Sequence, residues 1–243
     1  MHIERKKELS SSQEYCIQNY KNMQIPSALL VERQTNGKGR CGTNWISSEG
    51  SLTFSVLILQ EKGRANTALA TSNIVRKALE KHGITGLCVK WPNDICMKAQ
   101  NTEYKVGGVV VNVVEDVLSA EGIAKSICVI GVGLNVLKSQ GQSMPYKSVE
   151  ELSGIAVNKE ELFSCLLQEI ERELSADSAG NSGYSWEKFF PYSYVMFEKR
   201  PCKILRIEDS LHIEDEGKPV VLPPGGYSYN QRENAVHRKG ALP

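Results

Sequence analysis

The 243-residue sequence is short of long apolar runs, paired cysteines and net charge. No apolar stretch approaches the roughly 20 residues that a membrane-spanning helix needs, so no such helix is expected. The N-terminus, MHIERKKELSSS, is charged where a secretory signal would be apolar. Lys and Arg number 29 against 28 Asp and Glu, a formal charge of +1. That balance creates no global field for nucleic acid or an anionic membrane, so neither partner is expected and any anion binding must be local. The seven cysteines (Cys16, Cys41, Cys88, Cys96, Cys128, Cys165 and Cys202) include no C-x-x-C pair. This argues against a disulfide framework or a zinc site, and for buried free thiols in a reducing, cytoplasmic setting. His2, His82, His212 and His237 are too scattered to suggest a metal cluster. Two nucleotide motifs are missing as well. G-K-G-R lacks the G-K-[ST] ending of a phosphate loop, and in G-V-G-L-N Asn135 stands where a dinucleotide fingerprint has its third glycine.

What is present suffices for a sizeable core: 41% of residues are hydrophobic, enough for one main domain with a small appendage. Ser10, Ser11 and Ser12 precede an expected helix at 13–23, and Pro26 opens a first strand. A second helix is expected over 66–82, with Asn66 as cap and Gly83 as stop. Strand-like runs follow at 87–91, 105–115 and 125–136, with links short enough for an antiparallel meander. Asn158 and Glu161 fit a capping box ahead of Leu162, Leu166, Ile170 and Leu174, a core-facing helix. Residues 186–190 suit one or two helical turns. Short apolar runs beyond Arg200 read as a small β unit. Strands with few helices between them favour an α+β fold.

Four places hold residues that a packed core does not require. Residues 32–50, between the apolar runs SALLV and SLTFSVLIL, concentrate Gly37, Lys38, Gly39, Arg40 and Trp45. Such a loop is either a flexible surface connection or a cradle for an anion, since glycine admits backbone N–H groups to oxyanions and the cations add charge. In K-W-P-N-D (Lys90 to Asp94), Pro92 ends regular pairing and presents Asn93 and Asp94 at a bend. They could form an Asx turn, orient a substrate or meet a hydrated Mg²⁺. Lys105 with Gly107 and Gly108 is a bulge after an exposed lysine, or a cation beside a strand opened to a flat ligand. G-V-G-L-N ends another strand. The serines at 10–12 are helix caps or ligand-binding hydroxyls. Taken together, converging cations, a carboxylate and glycines describe a site where two anions meet on a sheet.

The ordered stretches Q-T-N-G-K-G-R-C-G-T-N-W, K-W-P-N-D, K-V-G-G-V-V-V-N and G-V-G-L-N resemble the catalytic domain of biotin–protein ligases, from about Ser10 to Val136. The resemblance implies a central mixed, largely antiparallel β-sheet with helices packed on it, as in class II aminoacyl-tRNA synthetases. A small SH3-like β domain follows, with the division at 1–195 and 196–243. It implies activation of biotin with MgATP to biotinyl-5′-AMP and transfer to a lysine of a biotin carboxyl carrier domain. Ser11, Ser12, Gln34, Gly37, Lys38, Lys105, Gly108, Gly131 and Gly133 are then expected to bind biotin. Arg40, Trp45, Lys90, Asn93 and Asn135 are expected at the nucleotide, with Asp94 near Mg²⁺. Lys105, Arg40 and Asp94 carry the chemistry. Departures from the family pattern are Ser12 in place of threonine and Lys38 where many members have arginine. Two anions about 4 Å apart repel by about 4 kcal/mol at an effective dielectric of 20, which the cations must offset. Residues 32–50 are expected to close over the adenylate; the polar segment 138–147 is left open between a plain surface loop and a second segment that orders there. A lipoate–protein ligase of the same fold and a non-enzymatic biotin sensor are the competing readings.

Overall fold

In the computed structural model the described residues are 1–62, 67–100, 102–119, 122–139, 146–175, 193–207, 210–223, 226–230 and 233–238. The main sheet contains β1 (His2–Leu9) and β2 (Ser27–Gln34). A separate ribbon of β3 (Gly37–Lys38) and β4 (Asn44–Trp45) interrupts it before β5 (Ser51–Glu61). β6 (Leu87–Lys90), β7 (Asp94–Ala99), β8 (Thr102–Leu118) and β9 (Ala124–Asn135) complete the order β1-β2-β5-β9-β8-β7-β6. All neighbours pair antiparallel except β1 with β2. The expected meander is therefore present, with β7 as an additional strand that the polar text after Pro92 does not announce.

Helices cover the sheet because each strand offers apolar residues to both faces. On one face α2 (Thr67–Lys81) and α4 (Lys159–Leu174) bury Ile74, Val75 and Leu79 with Leu162, Leu166 and Ile170 against Phe54, Val56 and Ile130. The rings of Phe54 and Phe163 meet edge-on at 5.1 Å. On the other face α1 (Ser12–Asn19) lays Cys16 over Leu29, Leu57 and Val129. The Asn158 side chain accepts from the backbones of Glu160 and Glu161 and donates to the Glu161 carboxylate, so the cap expected there takes a related form. A full capping box occurs instead at α3 (Val149–Ser153), between Ser148 and Glu151.

Two boundaries differ from expectation. α1 ends at Asn19 and gives way to a 3-10 turn at Tyr20–Asn22, short of residue 23. The charged N-terminus forms β1, an edge strand whose Arg5 reaches Glu160 in a two-pronged pair at 2.7 and 2.9 Å. Charge suits an edge because it discourages further strand addition, and pairing with a strand 25 positions away leaves no local signature. The expectations at Asn66, at 186–190 and across most of 138–147 fall outside the described residues.

The C-terminal unit is a second sheet of β10 (Tyr194–Phe197), β11 (Arg200–Ile207), β12 (Leu211–Asp215), β13 (Lys218–Leu222), β14 (Tyr227–Asn230) and β15 (Ala235–Arg238). Its order is β13-β12-β11-β10-β15-β14. Val195, Phe197, Ile213 and Leu222 pack with Leu69, Val89 and Trp91 of the main unit. Trp91 of K-W-P-N-D, 2% exposed, is thus a structural anchor.

Candidate active site

A cavity of about 370 Å³ opens where β8 and β9 pass beneath α1 and the β3–β4 ribbon. That volume suits a small organic ligand. One end is neutral and polar: Ser12, Gln13 and Gln34 stand there, with Gly131 beneath. The apolar part of the wall is Val110 and the Trp45 ring; Phe54 and Val132 also border it, but their side chains pack in the core under α2 and α4. The charged part is at Asp94, which pairs with Lys105, and at the neighbouring Asn93, which receives Arg40; Lys38 also lines the cavity, its Nζ donating to Asn36 Oδ1 at 3.2 Å. The walls therefore complement an elongated ligand with a neutral polar head and an anionic tail.

The glycines of G-V-G-L-N are required by close approach. A Cβ on Gly131 would lie 2.5 Å from Gln13 Oε1, and one on Gly133 2.5 Å from Cε2 of the Trp45 ring. Gly133 thus lets the indole lie flat against β9. The 32–50 segment is not plain loop: β3 and β4 pair Gly37 with Trp45 and Lys38 with Asn44, and a 3-10 turn at Arg40–Gly42 forms the tip. The ribbon delivers Arg40 to β7, where its Nη1 donates to Asn93 Oδ1 at 2.8 Å. Asn93 is anchored in turn by donating to the Val109 carbonyl at 2.6 Å.

The bend between β6 and β7 sets Asp94 across from Gly108, and Asp94 Oδ1 lies 2.7 Å from Lys105 Nζ. Register places Cys96 opposite Lys105 and Cys88 opposite Cys96. Burial pushes the Cys88 thiol up to about 12 and the Cys96 thiol further in the same direction. Both stay protonated at neutral pH, so neither thiol competes with Asp94 for Lys105.

Ser12, Gln34, Lys38, Arg40, Trp45 and Asn93 line the cavity, as do Asp94, Lys105, Gly108, Gly131 and Gly133. Four expected residues stand elsewhere. Ser11 caps α1, its hydroxyl accepting from the Glu14 backbone at 3.3 Å. Gly37 lies behind the wall, where a Cβ would meet the Trp45 carbonyl at 2.6 Å. Lys90 pairs with Asp94 in register but is not part of the wall. Asn135 is 3% exposed beneath it. Among the described residues, Asn135 Oδ1 and Trp45 Nε1 are both buried without a hydrogen-bond partner. Buried polar atoms are rarely left so, and a ligand that supplies partners would resolve both. Gln13 is the residue that sequence reasoning missed. Its one signal was position, an amide in the first turn of a helix flanked by serines.

Among the described residues no group of three or more His, Cys, Asp or Glu could hold a metal. Asp94 alone, already paired with Lys105, fits only an ion that arrives coordinated by phosphates.

A family model described as the biotin/lipoate A/B protein ligase family matches residues 8–135. The chain is 25% identical over 262 residues to "Biotin--protein ligase 1, chloroplastic" of Arabidopsis thaliana, covering 95% of this chain and 67% of that protein. It is 26% identical over 208 residues to "Bifunctional ligase/repressor BirA" of Escherichia coli, covering 81% of this chain and 60% of that one. Among solved structures, a biotin protein ligase from Aquifex aeolicus in complex with biotin and ATP superposes with a TM-score of 0.67. It shares 23% identity, with 98% of this chain and 99% of that one covered, a likeness of fold.

Proposed function

This chain belongs to the biotin/lipoate A/B protein ligase family, and on that premise we propose that it joins biotin to MgATP as biotinyl-5′-AMP and passes the biotinyl group to a lysine of a carboxyl carrier domain. The observation that carries the reading is the polarity of the cavity: neutral amide and hydroxyl groups at one end, Val110 and the Trp45 ring between, and Lys105 and Arg40 at the other. A ureido ring, a valeryl chain and a carboxylate fit that order.

In the first step the carboxylate must approach the α-phosphate. Lys105 lies at the charged end and releases Asp94 in favour of the incoming anions. Arg40, held by Asn93, stands on the ribbon that covers this end and retains the adenylate. Trp45 Nε1 and Asn135 Oδ1 gain partners from the nucleotide. Asp94 would be the residue that meets a Mg²⁺ carried by ATP, and the ion would neutralise charge on the phosphates. In the second step an acceptor amine, with an ordinary pKa near about 10.4, must lose a proton. Asp94, freed from Lys105, is placed to orient or accept from it. The chain divides into a catalytic unit and a small β unit that begins with β10 at Tyr194, two residues ahead of the expected division at 195/196, and acts in the cytoplasm.

Incubation with MgATP, biotin and a carrier domain, probed with streptavidin, tests the activity. Pyrophosphate exchange that depends on lipoate instead of biotin would refute it. A sensor without catalysis would bind biotin and exchange nothing.

A further inference from the structure

The neutral end of the cavity has its hydrogen-bond directions set by backbone groups. Gln13 Nε2 lies 2.9 Å from the Val129 carbonyl, which can only accept, so this amide has one orientation. Its other proton goes to Asn112 Oδ1 at 3.1 Å. Gln13 Oε1 then faces Ser55 Oγ at 3.1 Å and takes the single proton of that fully buried hydroxyl. Ser12 Oγ lies 2.8 Å from Ser55 Oγ. With the Ser55 proton committed, Ser12 is the donor of that pair. What Ser12 offers the cavity is a lone pair.

The neighbouring amide is pinned in the same way. The backbone N–H of Ser12 donates to Gln34 at 2.7 Å, so the receiving atom is Oε1. Gln34 lines the cavity, and its Nε2, on the Gly37 side and with no partner among the described residues, is the donor left to a ligand there. An acceptor and a donor thus stand on linked residues. Their complement is an N–H beside a C=O.

We propose that Gln13 and Ser55 are positioning residues that lock Ser12 as a hydrogen-bond acceptor, so that the cavity selects the N–H/C=O edge of a cyclic urea. This deepens the biotin ligase reading and rests on it. A dithiolane ring, which has neither group, would leave the Ser12 lone pair and Gln34 Nε2 unpaired. A site built to bond an N–H rejects analogues that lack it far more strongly than an apolar pocket rejects a missing methylene.

The test is biotin-dependent pyrophosphate exchange with biotin and with its two carbamate analogues, each having one ureido N–H replaced by a ring oxygen. The wild-type chain is expected to favour biotin over one analogue by about 100-fold or more in kcat/KM. In Ser55→Ala the Ser12 hydroxyl is free to turn and donate. The preference should then narrow by about ten-fold, the net worth of one hydrogen bond, with the change carried by KM rather than kcat. Gln13→Met should do the same by freeing the Ser55 proton, and it stands in if thermal melting shows that Ser55→Ala does not fold. A preference within two-fold of wild type, even with KM raised for every ligand, would reduce the network to a structural role and overturn the inference alone. No biotin-dependent exchange by the wild type would overturn the functional reading along with it.

Discussion

Lys105→Met separates charge from packing at the candidate active site. Lys105 and Asp94 lie 2.7 Å apart, with side-chain exposures of 50% and 26%. A pair so open to solvent contributes about 0–1 kcal/mol to stability. At about 2–4 °C per kcal/mol for a chain of this size, the melting temperature should fall by no more than about 4 °C. Catalysis should respond differently. The substitution removes a cation and leaves Asp94 unpaired where the substrate carboxylate must come. Two carboxylates about 4 Å apart repel by about 4 kcal/mol at an effective dielectric of 20. That is a loss of about 10³ in biotin-dependent pyrophosphate exchange. Asp94→Asn in the Lys105→Met background removes the repulsion and should restore part of it, a gain that additive damage could not produce. The reasoning fails if Lys105→Met exchanges at the wild-type rate, or if the double variant is slower than the single one.

Other perturbations probe other links. Gly133→Ala drives a Cβ to 2.5 Å from the Trp45 ring; we expect about 1–3 kcal/mol of destabilisation and a rise in KM for ATP greater than that for biotin, and an equal effect on both would detach Trp45 from the nucleotide. Arg40→Gly should release biotinyl-AMP and label bystander lysines in mass spectra; unchanged acceptor selectivity would end the retention role. Asn158→Ala removes two backbone contacts at the start of α4 and should cost about 1 kcal/mol in urea melts with activity intact. Burial holds the Cys16 thiol up to about 12 and the Cys128 thiol up to about 11, both above their ordinary value of 9.0. A folded-state pKa above the unfolded one means that the unfolded chain binds fewer protons as pH rises past 9. Stability should therefore hold below about pH 8 and fall above 9 by up to about 1.4 kcal/mol per pH unit for each thiol. Cys16→Ala should shallow that slope, and an unaltered slope would show that the thiol is not responsible.

Motif order carried a large part of the site. G-K-G-R, K-W-P-N-D, K-V-G-G and G-V-G-L-N each name a residue that reaches one cavity, because their glycines admit close approach and their charged residues stand at strand ends. Periodicity likewise exposed α2, α4 and the long strands. Where a motif serves two ends, sequence could not divide it. Trp91 turns into the second sheet while Asn93 and Asp94, two and three positions on, turn to the cavity. Ser11 and Ser12 are adjacent, yet one caps a helix and the other meets the ligand space.

By itself, then, the sequence determined the kind of chemistry: local cations and glycines in a neutral chain, on an α+β frame, with no phosphate loop. Tertiary structure decided which end of the cavity does what. Gln13 gains its role from Val129, 116 positions away, and Arg40 from Asn93, 53 positions away. Hydrogen-bond direction is a property of partners, and partners so distant are chosen only when the sheet closes.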